Sequence, residues 1–481
     1  MENKENFFRI NNNHCEKEMS TSKIILLSFL FLMSNASYAS DFIMHTIKPA
    51  TIDPLKNTVP NMVVLHNIDA DDHLDLIVSH VGWKKSPVHP YVSWFKGPHF
   101  KKEYTIIDKS TVGKNSRIYR FVLHDVDKDG RADLIGQGYQ PNHNGNKWYR
   151  CPEDPRLPWK EYYDYGNDLQ NGHDILLWDI DNNGEKDLLL LDSHVGKVIV
   201  KPIPSKKFKA PWEFYTIIEN IGFTHYMSLY DVNSDGLLDI VLGKEEDGGK
   251  GIFWLEHPGY KNVNSIWQKH FVFNANFTKV FARDFDNDGD TDFVGTGENF
   301  VLEDSFITLT KKIAALLFLK TSHVPSDEQT RLALSSIRKR CLSSDRPWIN
   351  NKDLGWLEST SSLYVMHEFD KKDNMNDVIG GHNCELIDVD NDGDEDLVTG
   401  GVDVLDFKQR FRWYEFDNSN NTIQWIEHPL GVTSSEGFKP QHGYYCGEIT
   451  SGDIDKDGDI DLFYASVGSG FLGWFENTMV E

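Results

Sequence analysis

Cysteine is scarce in this 481-residue chain, with five in all, and that excludes a disulfide-stapled scaffold, which needs bridges at far higher density. Basic residues are also in short supply: 49 Lys and Arg face 74 Asp and Glu, leaving a formal net charge of −25. A phosphate-seeking surface needs the opposite sign, so sequence-general nucleic-acid binding is excluded. Long apolar runs are missing too, and the one that exists is too short to span a bilayer comfortably. The acid does not signal disorder, because 39% of residues are hydrophobic and 12% aromatic, unlike the aromatic-poor make-up of acidic disordered chains. What is plentiful is Gly (36), Phe (29), Tyr (18) and Trp (13), a mixture that suits many short strands joined by tight turns.

The single apolar run, residues 24–33, follows Lys23 and precedes the small residues of Ser37-Tyr38-Ala39. That is the order of an export signal. Residues 1–39 are therefore read as an N-terminal extension and signal peptide, with Met1 or Met19 as the start and a mature chain beginning near Ser40. The expected location is outside the cytoplasm: periplasmic, cell-surface or secreted, in an oxidising and calcium-rich medium. Cys151, Cys341, Cys384 and Cys446 remain after cleavage. They are expected as buried thiols, with Cys384 and Cys446 the one pair to test as a bridge.

One unit recurs seven times. The spacing D-x-D-x-D-G-x-x-D-L starts at Asn67, Asp125, Asp179, Asp231, Asp284, Asp388 and Asp453. Oxygen ligands at alternate positions of a tight loop, Gly at the sixth position and a carboxylate at the ninth can wrap calcium. The ninth residue leads straight into runs such as Leu76-Ile77-Val78, so the loop closes a β-hairpin instead of opening a helix. The expected ligands of up to seven structural Ca2+ are Asp69, Asp71 and Asp75; Asp125, Asp127, Asp129 and Asp133; Asp179, Asp181, Asn183 and Asp187; and Asp231, Asn233, Asp235 and Asp239. The later loops add Asp284, Asp286, Asp288 and Asp292; Asp388, Asp390, Asp392 and Asp396; and Asp453, Asp455, Asp457 and Asp461. The first loop departs most, with Asn67 at its first position and Asp72 in place of Gly.

An aromatic strand of the type Gly-x-x-Trp-Phe-Glu follows most loops, at Trp94, Trp148, Trp254, Trp356, Trp413 and Trp474. A further strand of the type Trp-x-x-His-x-Ile comes next, is absent at the C-terminus, and is supplied at the other end by Met44-His45-Thr46-Ile47. Four strands per unit predict an all-β, seven-bladed β-propeller closed by the N-terminal strand. The pattern resembles the FG-GAP or VCBS repeat family of calcium-loop propellers, which includes integrin α-subunit heads, over nearly all of residues 41–478. Blades one to five (first part) take residues 40–299. Residues 300–352 have helical apolar spacing and a capped start at Ser326, so a small α-helical insertion in blade five is expected there, as a lid or partner surface. Residues 353–481 complete blade five and supply blades six and seven.

The strand order sends the remaining inner loops to the face opposite the calcium loops, where a large share of the 19 His falls. His173, His225 and His382 each lie six residues before a calcium loop, which predicts equivalent places at the mouth of the central channel. His80, His194 and His382 are candidate ligands of Zn2+ or Mn2+. His173, His225, Tyr226 and Arg120 are candidate catalytic residues. The last-strand histidines His45, His270, His367 and His428 recur with the repeat and are read as structural. Among enzymes the resemblance extends to aldos-2-ulose dehydratases and propeller polysaccharide lyases, which implies elimination on a carbohydrate at a His-lined, often metal-bearing pocket. The competing reading is a non-catalytic secreted adhesion or glycan-binding propeller. Carbohydrate or a glycoconjugate is the expected partner in both.

Overall fold

The computed structural model describes residues 41–49, 58–82, 90–107, 118–138, 146–164, 169, 172–193, 196–206, 208, 211–244, 251–274, 277–297, 354–360, 363–368, 378–379, 383–403, 409–418, 423–433, 448–467 and 470–479. The export segment and the helical insertion expected over 300–352 lie outside them, as do His194, His382, Cys341 and Cys446. Among the described residues the one helical element is a 3-10 turn, Tyr260–Asn262. No helix there is long and apolar enough to cross a membrane.

The rest is strand. The first, β1 (Phe42–Lys48), is used last. Sheet I is β2 (Val59–His66), β3 (Asp75–Val81), β4 (Tyr91–Phe95) and β5 (Glu103–Ile107). Sheet II is β6 (Ile118–His124), β7 (Asp133–Gly138), β8 (Lys147–Arg150) and β9 (Lys160–Asp164). Sheet III is β10 (Gly172–Trp178), β11 (Asp187–Asp192), β12 (Lys197–Pro202) and β13 (Tyr215–Ile218). Sheet IV is β14 (Thr224–Tyr230), β15 (Asp239–Lys244), β16 (Gly251–Glu256) and β17 (Gln268–Phe273). Sheet V is β18 (Lys279–Arg283), β19 (Asp292–Thr296), β20 (Leu354–Thr360) and β21 (Leu363–Glu368), so β19 and β20 pair across the long interval. Sheet VI holds β22 (Val378–Ile379), β23 (Cys384–Ile387), β24 (Asp396–Asp403), β25 (Gln409–Asp417) and β26 (Gln424–Thr433). Sheet VII is β27 (Glu448–Gly452), β28 (Asp461–Ala465) and β29 (Leu472–Asn477), with β1 antiparallel to β29 as its outer strand.

The innermost strands of successive sheets pack side by side. β2 touches β6, β6 touches β10, β10 touches β14, β14 touches β18, and β23 touches β27, which returns to β2. Lys279 of β18 and Glu385 of β23 join sheets V and VI. This cyclic arrangement is a β-propeller, all-β in its described parts, and the β1–β29 pairing removes the open edge that an unclosed ring would carry.

The repeated residues explain why the sheets stack. Second strands read as continuous apolar runs, such as Leu188-Leu189-Leu190-Leu191, because a middle strand in a packed sheet is covered on both faces. A Trp just before the fourth strand wedges against the preceding sheet: Trp159 packs with Ile77 and Val92, and Trp267 with Leu189 and Val200. The indole N–H of each is satisfied by a carbonyl four residues back, Pro155 at 3.1 Å and Val263 at 2.9 Å. Truncating such a buried ring costs about 3–5 kcal/mol. Three of the last-strand histidines read as structural are held in their sheets: His45, His270 and His428 stack on Trp474, Trp254 and Trp413 at 4.4, 4.1 and 4.4 Å. Each also meets a third-strand carboxylate, Glu476, Glu256 or Glu415. Cys151 and Cys384 are buried thiols, and burial pushes both up to about 12.

Candidate functional site

The two ends of the inner strands carry different chemistry. At the C-terminal ends sit the aspartate loops. Their sixth-position glycines, Gly130, Gly184, Gly236, Gly289, Gly393 and Gly458, have φ between 85° and 103° with open space where a Cβ would stand. Glycine is therefore required by backbone conformation and not by crowding. Main-chain N–H groups of the loop bond the first-position carboxylate, as Gly236 does to Asp231 at 2.7 Å.

The ninth-position Asp has a role the spacing did not reveal. Its side chain is buried and accepts two backbone N–H groups, one from the second residue of its own loop and one from the end of the third strand or just past it. In sheet IV, Asp239 takes Val232 N at 3.0 Å and His257 N at 2.8 Å; in sheet VII, Asp461 takes Ile454 N and Asn477 N, both at 2.9 Å. Sheets I, II and VI repeat the two-sided clasp through Asp75, Asp133 and Asp396. Burial pushes these carboxyls up, Asp187 and Asp239 to about 6, Asp133 and Asp461 to about 7, and Asp396 to about 8.

Five loops bring three carboxylates within 4.8 Å of one another: Asp125, Asp127 and Asp133; Asp179, Asp181 and Asp187; Asp284, Asp286 and Asp292; Asp388, Asp390 and Asp396; and Asp453, Asp455 and Asp457. Hard oxygen donors at that spacing fit a calcium-like cation. The loops at Asn67 and Asp231 form no such group.

At the opposite, N-terminal ends of the inner strands, side chains from several sheets meet. Four successive inner strands carry a bulge at the same place, between Pro60 and Met62, Ile118 and Arg120, Gly172 and Asp174, and Thr224 and Met227. A bulge re-aims side chains out of the regular alternation, and it does so here toward the axis. Arg120 reaches Glu448 of β27, donates through Nη2 to the Tyr226 oxygen at 2.6 Å, and donates through Nε to the His173 carbonyl at 3.1 Å. A side chain of sheet II that touches sheets III, IV and VII at once reaches across the ring, so it lies at the channel axis. His173 Nδ1 lies 3.2 Å from the His225 carbonyl, and the two rings stack at 4.1 Å.

All four candidate catalytic residues thus come together, but deeper than a mouth. Arg120, His173, Tyr226 and His225 are 2%, 4%, 3% and 6% exposed. Burial, reinforced by Arg120, holds His225 down at about 3, so it is a neutral imidazole at ordinary pH. Asp174, beneath Arg120, is pushed up by burial and drawn back by the guanidinium. Glu448 and Lys279 were not foreseen. The signal was available: the residue five before each loop is Met62, Arg120, Asp174, Tyr226, Lys279, Asn383 or Glu448. Lys279 lies 5.6 Å from the Tyr226 ring. His80 is placed elsewhere, inside β3 and 1% exposed, with Ser93 Oγ at 3.1 Å and the Tyr91 ring stacked at 4.1 Å. It stands among its own sheet's partners and not in a loop at the channel mouth.

No curated protein matches the chain. A solved structure, "Crystal structure of GH62 hydrolase in complex with xylotriose", is similar at 8% identity over 56% of this chain and 97% of that one, with a TM-score of 0.31, a likeness too slight to bear on fold or function. Residues 231–295, which run from the sheet IV loop through β19, match the family model described as FG-GAP-like repeat. The same loop spacing recurs between the first two strands of every sheet, so the chain is a β-propeller in which one stretch, residues 231–295, matches an FG-GAP-like repeat.

Proposed function

We propose that the protein is an exported, calcium-stabilised propeller of seven blades that acts on carbohydrate by elimination at the axial cluster. The observation that carries this reading is the Arg120 contact to the Tyr226 oxygen, at 2.6 Å. A guanidinium donating to a phenol oxygen favours the phenolate, so Tyr226 can exchange a proton with a sugar carbon or leaving oxygen. His225, neutral and stacked on His173, is the second proton acceptor. Arg120 also supplies the positive charge that an enolate-like intermediate beside a carbonyl or uronate carboxyl requires. Calcium at the aspartate loops would supply folding free energy and no step of the chemistry.

The test is incubation of the purified chain with uronate-containing polysaccharides and with oxidised sugars, following the ultraviolet absorbance of the unsaturated product. Loss of product in Tyr226→Phe and His225→Asn, with folding retained, is the expected result. A wild-type chain that binds such glycans without forming product would sink the catalytic reading. It would leave the second one, a glycan-binding or adhesion propeller. The observation favouring that alternative is the near-complete burial of the cluster and the Arg120–Glu448 ion pair, which suits an axial tie between sheets.

A further inference from the structure

The loops of sheets I and II differ from the others in what faces their carboxylates. The residue one past the strand-three partner of the loop's tenth position is Lys96 in sheet I and Arg150 in sheet II. The equivalent residue is Glu256, Glu358, Glu415 and Glu476 in sheets IV to VII. Three of those glutamates hold a fourth-strand His. In sheets I and II the fourth-strand partner of the Trp is a tyrosine instead, Tyr104 or Tyr163. With no imidazole to hold, the third-strand residue is released toward the loop.

The released residue is basic in both, and it meets the same two loop positions, the third and the fifth. Lys96 Nζ contacts Asp69 and lies 2.5 Å from Asp71. Arg150 lies 2.5 Å from Asp127 through Nε and 2.8 Å from Asp129 through Nη2. Arg131 adds a second guanidinium to Asp129. The first loop keeps the positive φ of its fourth position, at Ala70, but has lost that of the sixth: Asp72 stands where the others have glycine at positive φ, and it is absent from the positive-φ positions. Its Asn67 amide turns inward to the Asp71 carbonyl.

We propose that these two loops are closed by a cation of the chain itself, the Lys96 ammonium and the Arg150 guanidinium, in the place where the loops of sheets III, V, VI and VII take a metal ion. A tethered cation needs no free calcium, so sheets I and II keep their loop geometry under chelation while those four lose it. The inference rests on reading the remaining carboxylate groups as cation sites, and its test separates the two.

Bound calcium per molecule is counted by elemental analysis after equilibrium dialysis, and melting temperature is measured in EDTA and in calcium, for the full chain and for Arg150→Gln, Lys96→Gln and Lys96→Arg. Arg150→Gln, which leaves a full set of four aspartates and Gly130, is expected to gain one ion per molecule. Lys96→Gln is expected to melt lower than wild type in EDTA without rescue by calcium, and Lys96→Arg to melt with wild type. The proposal is overturned if Arg150→Gln leaves the count unchanged and both glutamine variants melt with wild type in EDTA. It is also overturned if Asp125→Ala removes an ion from the otherwise wild-type chain. A chain that binds no calcium at all ends the metal reading of the other loops, and the EDTA melting of Lys96→Gln then decides the tethered cation alone.

Discussion

Replacing Asp239 by Ala separates the clasp role of the ninth-position carboxylate from metal binding, because the sheet IV loop is not one of the groups with three carboxylates in ligand distance. Two main-chain donors, Val232 N at 3.0 Å and His257 N at 2.8 Å, lose their acceptor. A buried N–H left without a partner costs about 1–3 kcal/mol, so the pair costs about 2–6 kcal/mol. Unfolding entropy near 60 °C is about 2.1 cal/mol/K per residue, which makes 1 kcal/mol worth about 1 °C for a ring of roughly 440 residues. The melting temperature in EDTA should therefore fall by about 2–6 °C. Asp239→Asn keeps one acceptor and should lose about half as much. If the sheet opens locally before the ring melts, hydrogen exchange at the Val232 and His257 amides reports the same loss. The control is Asp235→Ala, at an exposed position of the same loop. Equal shifts for Asp235→Ala and Asp239→Ala would refute the clasp, since both remove one carboxylate and only one removes buried acceptors.

Three further expectations follow from the same geometry. The ninth-position carboxyls stand at about 6 to 8 in the fold against about 4 in an unfolded chain, so the fold holds protons the unfolded chain has released; without cations their contribution is complete below about pH 4 and fades as pH rises through 6 to 8, and a melting temperature in EDTA that rises between pH 5.5 and 8 contradicts this. Arg120→Met leaves Glu448 buried without its cation and should cost about 3–5 kcal/mol, with Glu448→Leu added in the same chain recovering part of it; no recovery in denaturant titration places the cost elsewhere. Deleting the chain through Lys48 removes β1 and bares the β29 edge, so size-exclusion chromatography should show association that the full chain lacks.

The features legible in the sequence were those carried by short-range spacing. The loop spacing, the glycine at its sixth position and the closure of the last sheet by the N-terminal strand need only a repeat counted along the chain, and β1 does pair with β29. The axial cluster was only half legible. The sequence reading named His173, His225, Tyr226 and Arg120, whereas Lys279 and Glu448 emerge only from counting positions, five residues before their loops. Chemistry at that position differs from sheet to sheet, so residue type hides it. The bulges that turn these residues toward the axis leave no mark in composition or periodicity. The same holds for Lys96, which departs from the Trp-Phe-Glu pattern in plain view while its contacts with Asp69 and Asp71 depend on the register of β3 and β4.

Closure and site are mechanically one thing in this ring. Glu448, the anionic partner of Arg120, sits at the start of β27 in sheet VII, and the outer strand of that sheet is β1. The position of Glu448 is thus fixed by a sheet whose fourth strand comes from the other end of the chain. Arg120 in turn orients Tyr226, and the Arg120 Nε bond fixes the stretch of β10 that carries His173. A loosened β1 would let sheet VII move, take Glu448 from the guanidinium and leave Arg120 to compete for the Tyr226 oxygen in a different geometry. Among the described residues the aspartate loops link only neighbouring sheets, through bonds such as Asn477 Nδ2 to the Val389 carbonyl and Thr291 Oγ1 to the Val232 carbonyl. The repeated end of the propeller therefore ties each sheet to the next, whereas the Arg120 contacts at the unrepeated end span four sheets and report whether the whole ring is shut.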